Sequence, residues 1–594
     1  MQRWTLLFVA LILTFSFSHD SIAASKKKQK AVKKPTIEST TTEALLTLQA
    51  FYPVNATQMG VHDYDGSLVD YSPKSVTEII KKLETFHNRF KSFTTSGLSP
   101  RESINFQLVR SNVEIALQDL KTIGWYKKSP QHYVDEAVNG VYSILLTDKA
   151  QNPKRLASVL SRMRAVPKLF ATASVNIKNP PAIYIELAKE SLESGIEFYK
   201  EAAESLIKGN PKKAKEIRAV SDAAREAMSS FMTSLSAIKP GPEKGFAIGE
   251  SAFDYKLAHE YFLSYNSDSL LAIGEELLKS AREDYSAYET YIEENKQNGQ
   301  DSVFTPAAFN KRDILDYYGW EVDQVKLFIQ VNDLITVPDD IAPIDVVETP
   351  SFLRSMVAGI AYQPAGAFDL VQQGYFYVRP VPDSLDRSQI EARYRFVHRR
   401  GFKGSVVHEA FPGHHLQMQI ASAHPDPIRK WQANPMMIEG WALYCEEMMY
   451  NAGLFGNEDP AQWLAILGGI RFRAARIVAD VKLHTGQFTY SQCVDWMVDV
   501  LDAKTDAEKD YLKKSVRKYT LTPTVWMSYL VGKQEIENLR DAMSLRDGDG
   551  FSEREFYDQL LAEASIPPAL MWQALSLEHE STPQKETSFK LSEE

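Results

Sequence analysis

The chain has 594 residues, a formal net charge of -10 and a pI near 5.8, with 44% hydrophobic and 24% charged residues. That length exceeds what one hydrophobic core usually supports, so a two-part globular protein is expected. The acidic balance offers no basic surface for nucleic acid, and two cysteines, Cys445 and Cys493, cannot make a disulfide framework. Both lie in apolar helical patterns. They read as inert buried thiols, although export would permit a disulfide between them.

Arg3, the apolar run from Trp4 to Phe17 and the small residues around Ser21 and Ala23 form an export-signal pattern over 1–23. The run is short for a membrane span, and no later stretch reaches about 18 apolar residues. No cysteine follows it, which argues against a lipid anchor. The expectation is a soluble periplasmic or secreted protein beginning near Ala24, with no stable membrane insertion. Residues 24–40 include the basic stretch from Ser25 to Lys34 and read as a solvated, disordered linker.

Residues 41–348 read as an N-terminal helical lobe. Apolar residues recur at three- and four-residue spacing over 75–93, 100–121, 152–177, 182–207, 211–238 and 269–294. Proline and glycine clusters such as Lys239-Pro240-Gly241-Pro242 punctuate them. A second, mainly helical lobe is expected over 349–580, followed by a polar tail at 581–594. Within it, Gly374 to Pro380 is aromatic and β-branched and closes on proline, as an edge strand would. An extended peptide could pair with such a strand, Tyr377 included, while Arg379 could hold a substrate carboxylate. Asp547-Gly548-Asp549-Gly550 lacks the full calcium-loop spacing and reads as a surface turn.

The informative segment is His408-Glu409-Ala410-Phe411-Pro412-Gly413-His414-His415. Three of the chain's 12 histidines fall there beside a glutamate. Zinc takes neutral imidazole and carboxylate, and a catalytic site keeps a position for water. On a regular helix the second imidazole would sit at i+4, but that position is Pro412. A bulge absorbing two residues around Pro412 and Gly413 would bring His414 to the i+4 place. His415 keeps the helix face without a bulge but sits about 10 Å along the axis. His414 is preferred, with His415 as the alternative or as a supporting hydrogen-bond donor. Glu439 lies among Ile438, Trp441, Ala442 and Leu443, where a carboxylate must be paired or metal-bound. It is the expected third ligand, with Glu446 one face-repeat later as its supporting carboxylate.

HEAFPGHHLQ followed by IEGWALYCEE resembles an uncharacterised bacterial family, many of whose members are exported or lipoproteins. The resemblance also takes in Phe51 to Gly60, Arg476 to Asp480 with His484, and Ser528 to Gly532, and so covers most of the chain. That family is distantly similar to zinc peptidases of the neurolysin, angiotensin-converting enzyme and thermostable carboxypeptidase type. The resemblance implies a mainly α, two-lobed fold with a small β element beside a channel. It also implies a second ligand histidine following a glycine, as His414 follows Gly413. The longer spacing between Ala410 and Gly413 departs from those peptidases.

The expected chemistry is hydrolysis of a peptide or small amide at a zinc ion held by His408, His414 and Glu439, with Glu409 as general base. Tyr529, Tyr519 and His484 are candidate donors to the oxyanion. Arg476, Asp480 and His484 share one helix face, where Asp480 could orient a ligand histidine or simply belong to an ion-pair ladder. A zinc hydrolase of a non-peptide amide or ester, or a metal-retaining binding protein, would use the same ligands.

Overall fold

Side-chain caps start many of the helices. Ser72 accepts the Ser75 N–H at the start of Pro73–Ser92, and Ser99 and Glu102 form a capping box ahead of Pro100–Leu117. Thr489 with Gln492 and Thr505 with Glu508 do the same later in the chain. The computed structural model describes residues 35–146, 154–294, 311–354, 359–380, 386, 389, 401–456 and 460–578. The six helical patterns of the first half are observed as Pro73–Ser92, Pro100–Leu117, Arg155–Asn176, Ala182–Gly209, Ala214–Ala237 and Ser267–Glu294. The export signal, most of the linker and the polar tail lie outside the described residues. The last linker residues are already helical, in Ile37–Phe51. Asp547 to Gly550 ends a helix in a short exposed turn.

From Ile37 onward the chain forms one compact unit. One core joins helices between residues 44 and 235. The core under the second half recruits Ile104, Leu108 and the helix Lys311–Val331 through Ile314, Tyr318 and Val325. Apolar packing therefore runs straight across residue 348. No helix among the described residues is long and apolar enough to cross a membrane. Cys445 and Cys493 are buried and unbridged.

A three-stranded sheet comprises β1 (Ile344–Glu348), β2 (Ile360–Gln363) and β3 (Gly374–Val378), in the order β1-β3-β2. β3 pairs parallel with β1 and antiparallel with β2. It is thus the central strand, not an edge: both its sides are hydrogen-bonded, and Phe376 and Val378 are buried. Pro380 falls just beyond it, so no ladder bond is lost. A peptide cannot add to β3, and Tyr377 instead meets the hydroxyl of Tyr142.

Six helices carry the site and its surroundings: α1 (Gly401–Glu409), α2 (His414–Ala423), α3 (Pro435–Asn451), α4 (Pro460–His484), α5 (Asp506–Tyr519) and α6 (Ser528–Asp547). α3 starts on Pro435 with Asn434 as its cap. It crosses α6 at two glycines. A Cβ on Gly440 would stand 2.5 Å from the Gly532 carbonyl carbon, and one on Gly532 would stand 2.1 Å from the Met436 oxygen. Only hydrogen fits at this crossing, and the close approach brings Tyr529 of α6 beside Glu439 of α3.

Candidate metal centre

The break between α1 and α2 decides which histidine faces the centre. The Phe411 N–H bonds the Val406 carbonyl, the Gly413 N–H bonds the Val407 carbonyl and the Leu416 N–H bonds the Ala410 carbonyl. The latter two bonds reach back six residues instead of four, which takes up the extra residues between Glu409 and His414. Gly413 is required here: a Cβ would lie 2.0 Å from the His408 oxygen. The Pro412 carbonyl, which no helix satisfies, accepts from Trp441 Nε1 at 2.8 Å. The Met437 carbonyl of α3 accepts from Gln417 at 3.1 Å.

His408, His414 and Glu439 converge, with one ligand atom from each within 4.8 Å of the others. Glu439 Oε2 stands 3.8 Å from His408 Nε2 and 3.6 Å from His414 Nε2. The two imidazoles are nearly perpendicular, their centroids 4.9 Å apart. Donor atoms bound tetrahedrally to zinc at about 2.0–2.1 Å are separated by roughly 3.3–3.4 Å. Two imidazoles and one carboxylate at this spacing fit that ion. Burial alone would raise the Glu439 pKa, but the facing His408 and His414 hold it far below the usual carboxylate range.

His408 Nδ1 lies 2.8 Å from Glu446 Oε1. Donating there leaves the Nε2 lone pair facing the centre. Arg473 of α4 reaches the same carboxylate oxygen at 3.4 Å. The Tyr529 hydroxyl lies against Glu439, and burial followed by the Glu439 charge pushes its pKa far up, so it stays protonated. Glu409 Oε2 accepts the Tyr362 N–H of β2 at 2.8 Å, and this is its one hydrogen bond among the described residues.

A family model described as "Bacterial protein of unknown function (DUF885)" matches residues 53–575. The chain belongs to this family. Among solved structures, a Shewanella oneidensis protein provisionally described as a lipoprotein of unknown function is similar, with TM-score 0.72 and 20% identity over 92% of this chain and 100% of that one. A Colwellia psychrerythraea protein, provisionally described as a lipoprotein, has TM-score 0.72 and 16% identity over 91% and 98%. At these identities the likeness establishes the fold. No curated protein matches the chain.

The remaining predicted residues of this DUF885 protein are placed elsewhere. His415 is not among the converging ligands. Its Nδ1 meets the Tyr362 hydroxyl and its Nε2 the Ala342 carbonyl, each at 2.9 Å. Neighbours in a helix point about 100° apart, so His414 and His415 cannot both face Glu439. Gly374 leaves the space that the His415 ring fills. Asp480 orients no ligand histidine. It accepts the backbone N–H groups of Thr524, Trp526 and Met527 and so holds the turn ahead of α6. His484 is fully buried against Phe246 and Phe253, with Nε2 2.8 Å from the Tyr519 carbonyl. It is a packing residue, not an oxyanion donor, and burial lowers its pKa to about 4. The Tyr519 hydroxyl accepts from Arg476. Arg476, Asp480 and His484 therefore form no ion-pair ladder.

Two contributors escaped the sequence reading. Tyr362 acts on Glu409 through its backbone, which leaves no side-chain signature. Arg473 could have been suspected from its place three residues before Arg476, on the same face of α4.

Proposed function

We propose that this protein is a zinc-dependent hydrolase of amide bonds, acting on peptides. The carrying observation is the convergence of His408, His414 and Glu439 at metal-ligand spacing, with Glu409 next to His408 in the chain and its carboxylate held by the Tyr362 N–H. When bound, zinc would activate a water molecule and polarise the scissile carbonyl. The protein's own groups do the rest. Glu446, steadied by Arg473, fixes the His408 tautomer. The Tyr362 N–H holds one oxygen of Glu409. The other oxygen is left to take a proton from the attacking water as its oxygen bonds to the carbonyl carbon. Glu409 then delivers that proton to the amide nitrogen as the C–N bond breaks, releasing an acid and an amine. The Tyr529 hydroxyl is the donor best placed for the developing oxyanion.

β2 is an edge strand, and the Tyr362 carbonyl lies on the same outer side as its N–H. An extended peptide added along that edge would run past Glu409. The distant similarity of the motif to zinc peptidases supports the same reading. The N-terminal pattern and the lipoprotein descriptions of the two structural neighbours support export to the cell envelope.

Glu409→Gln keeps size and most hydrogen bonding but removes the base. Zinc content and melting temperature are expected to stay near wild type, while peptide hydrolysis falls at least about 100-fold. Full turnover by the variant, or no cleavage of a broad peptide library by the zinc-loaded wild type, would defeat the proposal.

A further inference from the structure

A cavity of about 440 Å³ is lined by Tyr52, Tyr71, Trp125 and Tyr126 together with residues 431–435, the segment that leads into α3. That volume is in the range of small-molecule sites. Tyr71, Trp125 and Tyr126 are each only 8% exposed. Yet neither the two hydroxyls nor the Trp125 Nε1 has a hydrogen-bond partner among the described residues, and none of these atoms is sealed off. The Tyr52 hydroxyl and the ring of His132, which also lines the cavity, have no partner among the described residues either. Buried polar groups are almost always hydrogen-bonded, so a set left open around one cavity points to a ligand.

The set is neutral and mixed. Burial pushes the pKa of Tyr52 and Tyr71 far up and lowers that of His132 to about 4, so the tyrosines keep their protons and the imidazole is uncharged. A hydroxyl both donates and accepts, a neutral imidazole does one of each, and an indole N–H only donates. Tyr71 stacks on Tyr126 and Trp125 on His132, with centroids 5.8 Å apart in each pair, which fixes where their polar edges lie. Phe262 and Trp431 add aromatic surface. Asp119 and Glu260 line the cavity too, whereas no lysine or arginine does among the described residues, so an anion finds no partner. Lys256 stands outside the lining, 2.9 Å from Glu260 and 3.7 Å from Asp119 Oδ1. The second distance is beyond hydrogen-bond reach, and Asp119 is left short of donors. Against the two carboxylates stand this ammonium and about half a positive charge at the start of α3, which leaves roughly half a negative charge. That is too little for recognition led by charge. A cationic amine would also leave the Trp125 N–H unmet, since both only donate.

We propose that this cavity binds a neutral saccharide unit, whose hydroxyls pair with Tyr71, Tyr126, Trp125 and Asp119 and whose ring packs on the aromatic walls. A sugar hydroxyl donates and accepts at once, as this mixture of groups requires, and the C–H face of the ring is apolar. A ligand of the same size without hydroxyls would bury these groups unpaired, which a site built to hydrogen-bond penalises heavily. None of the metal ligands lines the cavity, so the inference stands apart from the hydrolase reading.

Binding to the full-length mature protein is measured by calorimetry with glucose, galactose, N-acetylglucosamine, maltose and chitobiose, and with putrescine as the cationic comparison. At least one saccharide is expected to bind, with or without zinc, and putrescine is not. Tyr71→Phe and Tyr126→Phe each remove a hydroxyl that bonds nothing in the protein. Each should weaken the saccharide roughly 3- to 10-fold, as loss of one hydrogen bond implies, at an unchanged melting temperature. Trp125→Phe removes the indole N–H and tests the same point should a tyrosine variant prove unstable. Failure of all the saccharides to bind would overturn the inference, and so would tighter binding of putrescine than of any of them. Saccharide binding unaltered in all three variants would put the sugar elsewhere and overturn it as well.

Discussion

Two buried histidine–carboxylate groups lie in the second half of the chain, and their chemistry diverges. In the first, Glu439 stands 3.6 and 3.8 Å from two imidazole nitrogens, too far for hydrogen bonds and at the spacing a shared ion imposes. In the second, Asp480 and His484 are one helical turn apart and 3.8 Å from each other. Yet Asp480 is saturated by three backbone N–H groups and His484 is spent on the Tyr519 carbonyl. Residue type and separation are similar. What differs is where the polar atoms are satisfied. A cluster whose members bond the backbone stabilises a turn, whereas one whose members face each other across a gap is spaced so that it could hold an ion.

The largest effect expected from this contrast is loss of the metal. His408→Ala or Glu439→Ala should take zinc from about one per chain to near zero, measured by metal analysis, and abolish hydrolysis with it. His415→Ala should leave zinc in place. An empty site in the His415 variant with a full one in His414→Ala would reverse the ligand assignment. Next comes Asp480→Asn, which sets an amide NH₂ against backbone donors. It should cost about 3 kcal/mol of stability in denaturant unfolding while zinc content stays unchanged. If it instead lost zinc at unchanged stability, the two clusters would not be separate.

A smaller effect sharpens the first cluster. Glu446→Gln weakens the hydrogen bond that fixes His408 and should lower zinc affinity about 10- to 100-fold in a chelator competition, without emptying the site at high zinc. The smallest concerns a third group, His62, which is bonded to Asp369 at 2.8 Å and to Asp65 at 3.1 Å. The bonds to Asp369 and then Asp65 raise its pKa from 6.5 to about 9. Because the folded value is the higher one, its stabilisation is complete below about pH 6.5 and is lost as pH rises through about 9. Wild type should lose roughly 1–2 kcal/mol across that window. His62→Gln should lack this step, with zinc binding unaffected, and an identical pH profile for both proteins would remove His62 from the account.

Much of the first cluster was legible in the chain. His408 and Glu439 stood out because charged or coordinating groups in apolar helical runs need a partner. His414 followed from the inability of Pro412 to bind metal and the tolerance of Gly413 for an irregular backbone. For Asp480 the chain left a ligand-orienting role and an ion-pair ladder equally open, because spacing alone cannot tell either from a carboxylate that caps a turn 44 to 47 residues later. Gly374 to Pro380 was taken for an edge strand because proline marks strand ends, and the sequence carried no sign that β1 and β2 would flank it.

Periodicity, caps and a dense histidine–glutamate motif are local, and residues close in the chain are enough to specify them. The helices, the interruption at Pro412 and the chemistry of the ligand set were therefore determined by the sequence alone. The rest depends on contacts between distant segments, which packing decides. The Gly440–Gly532 crossing sets Tyr529 against Glu439 because no side chain keeps the two helices apart. The sheet supplies a backbone N–H to Glu409 and draws His415 away, and α5 and α6 surround Arg476 with rings but provide no anion.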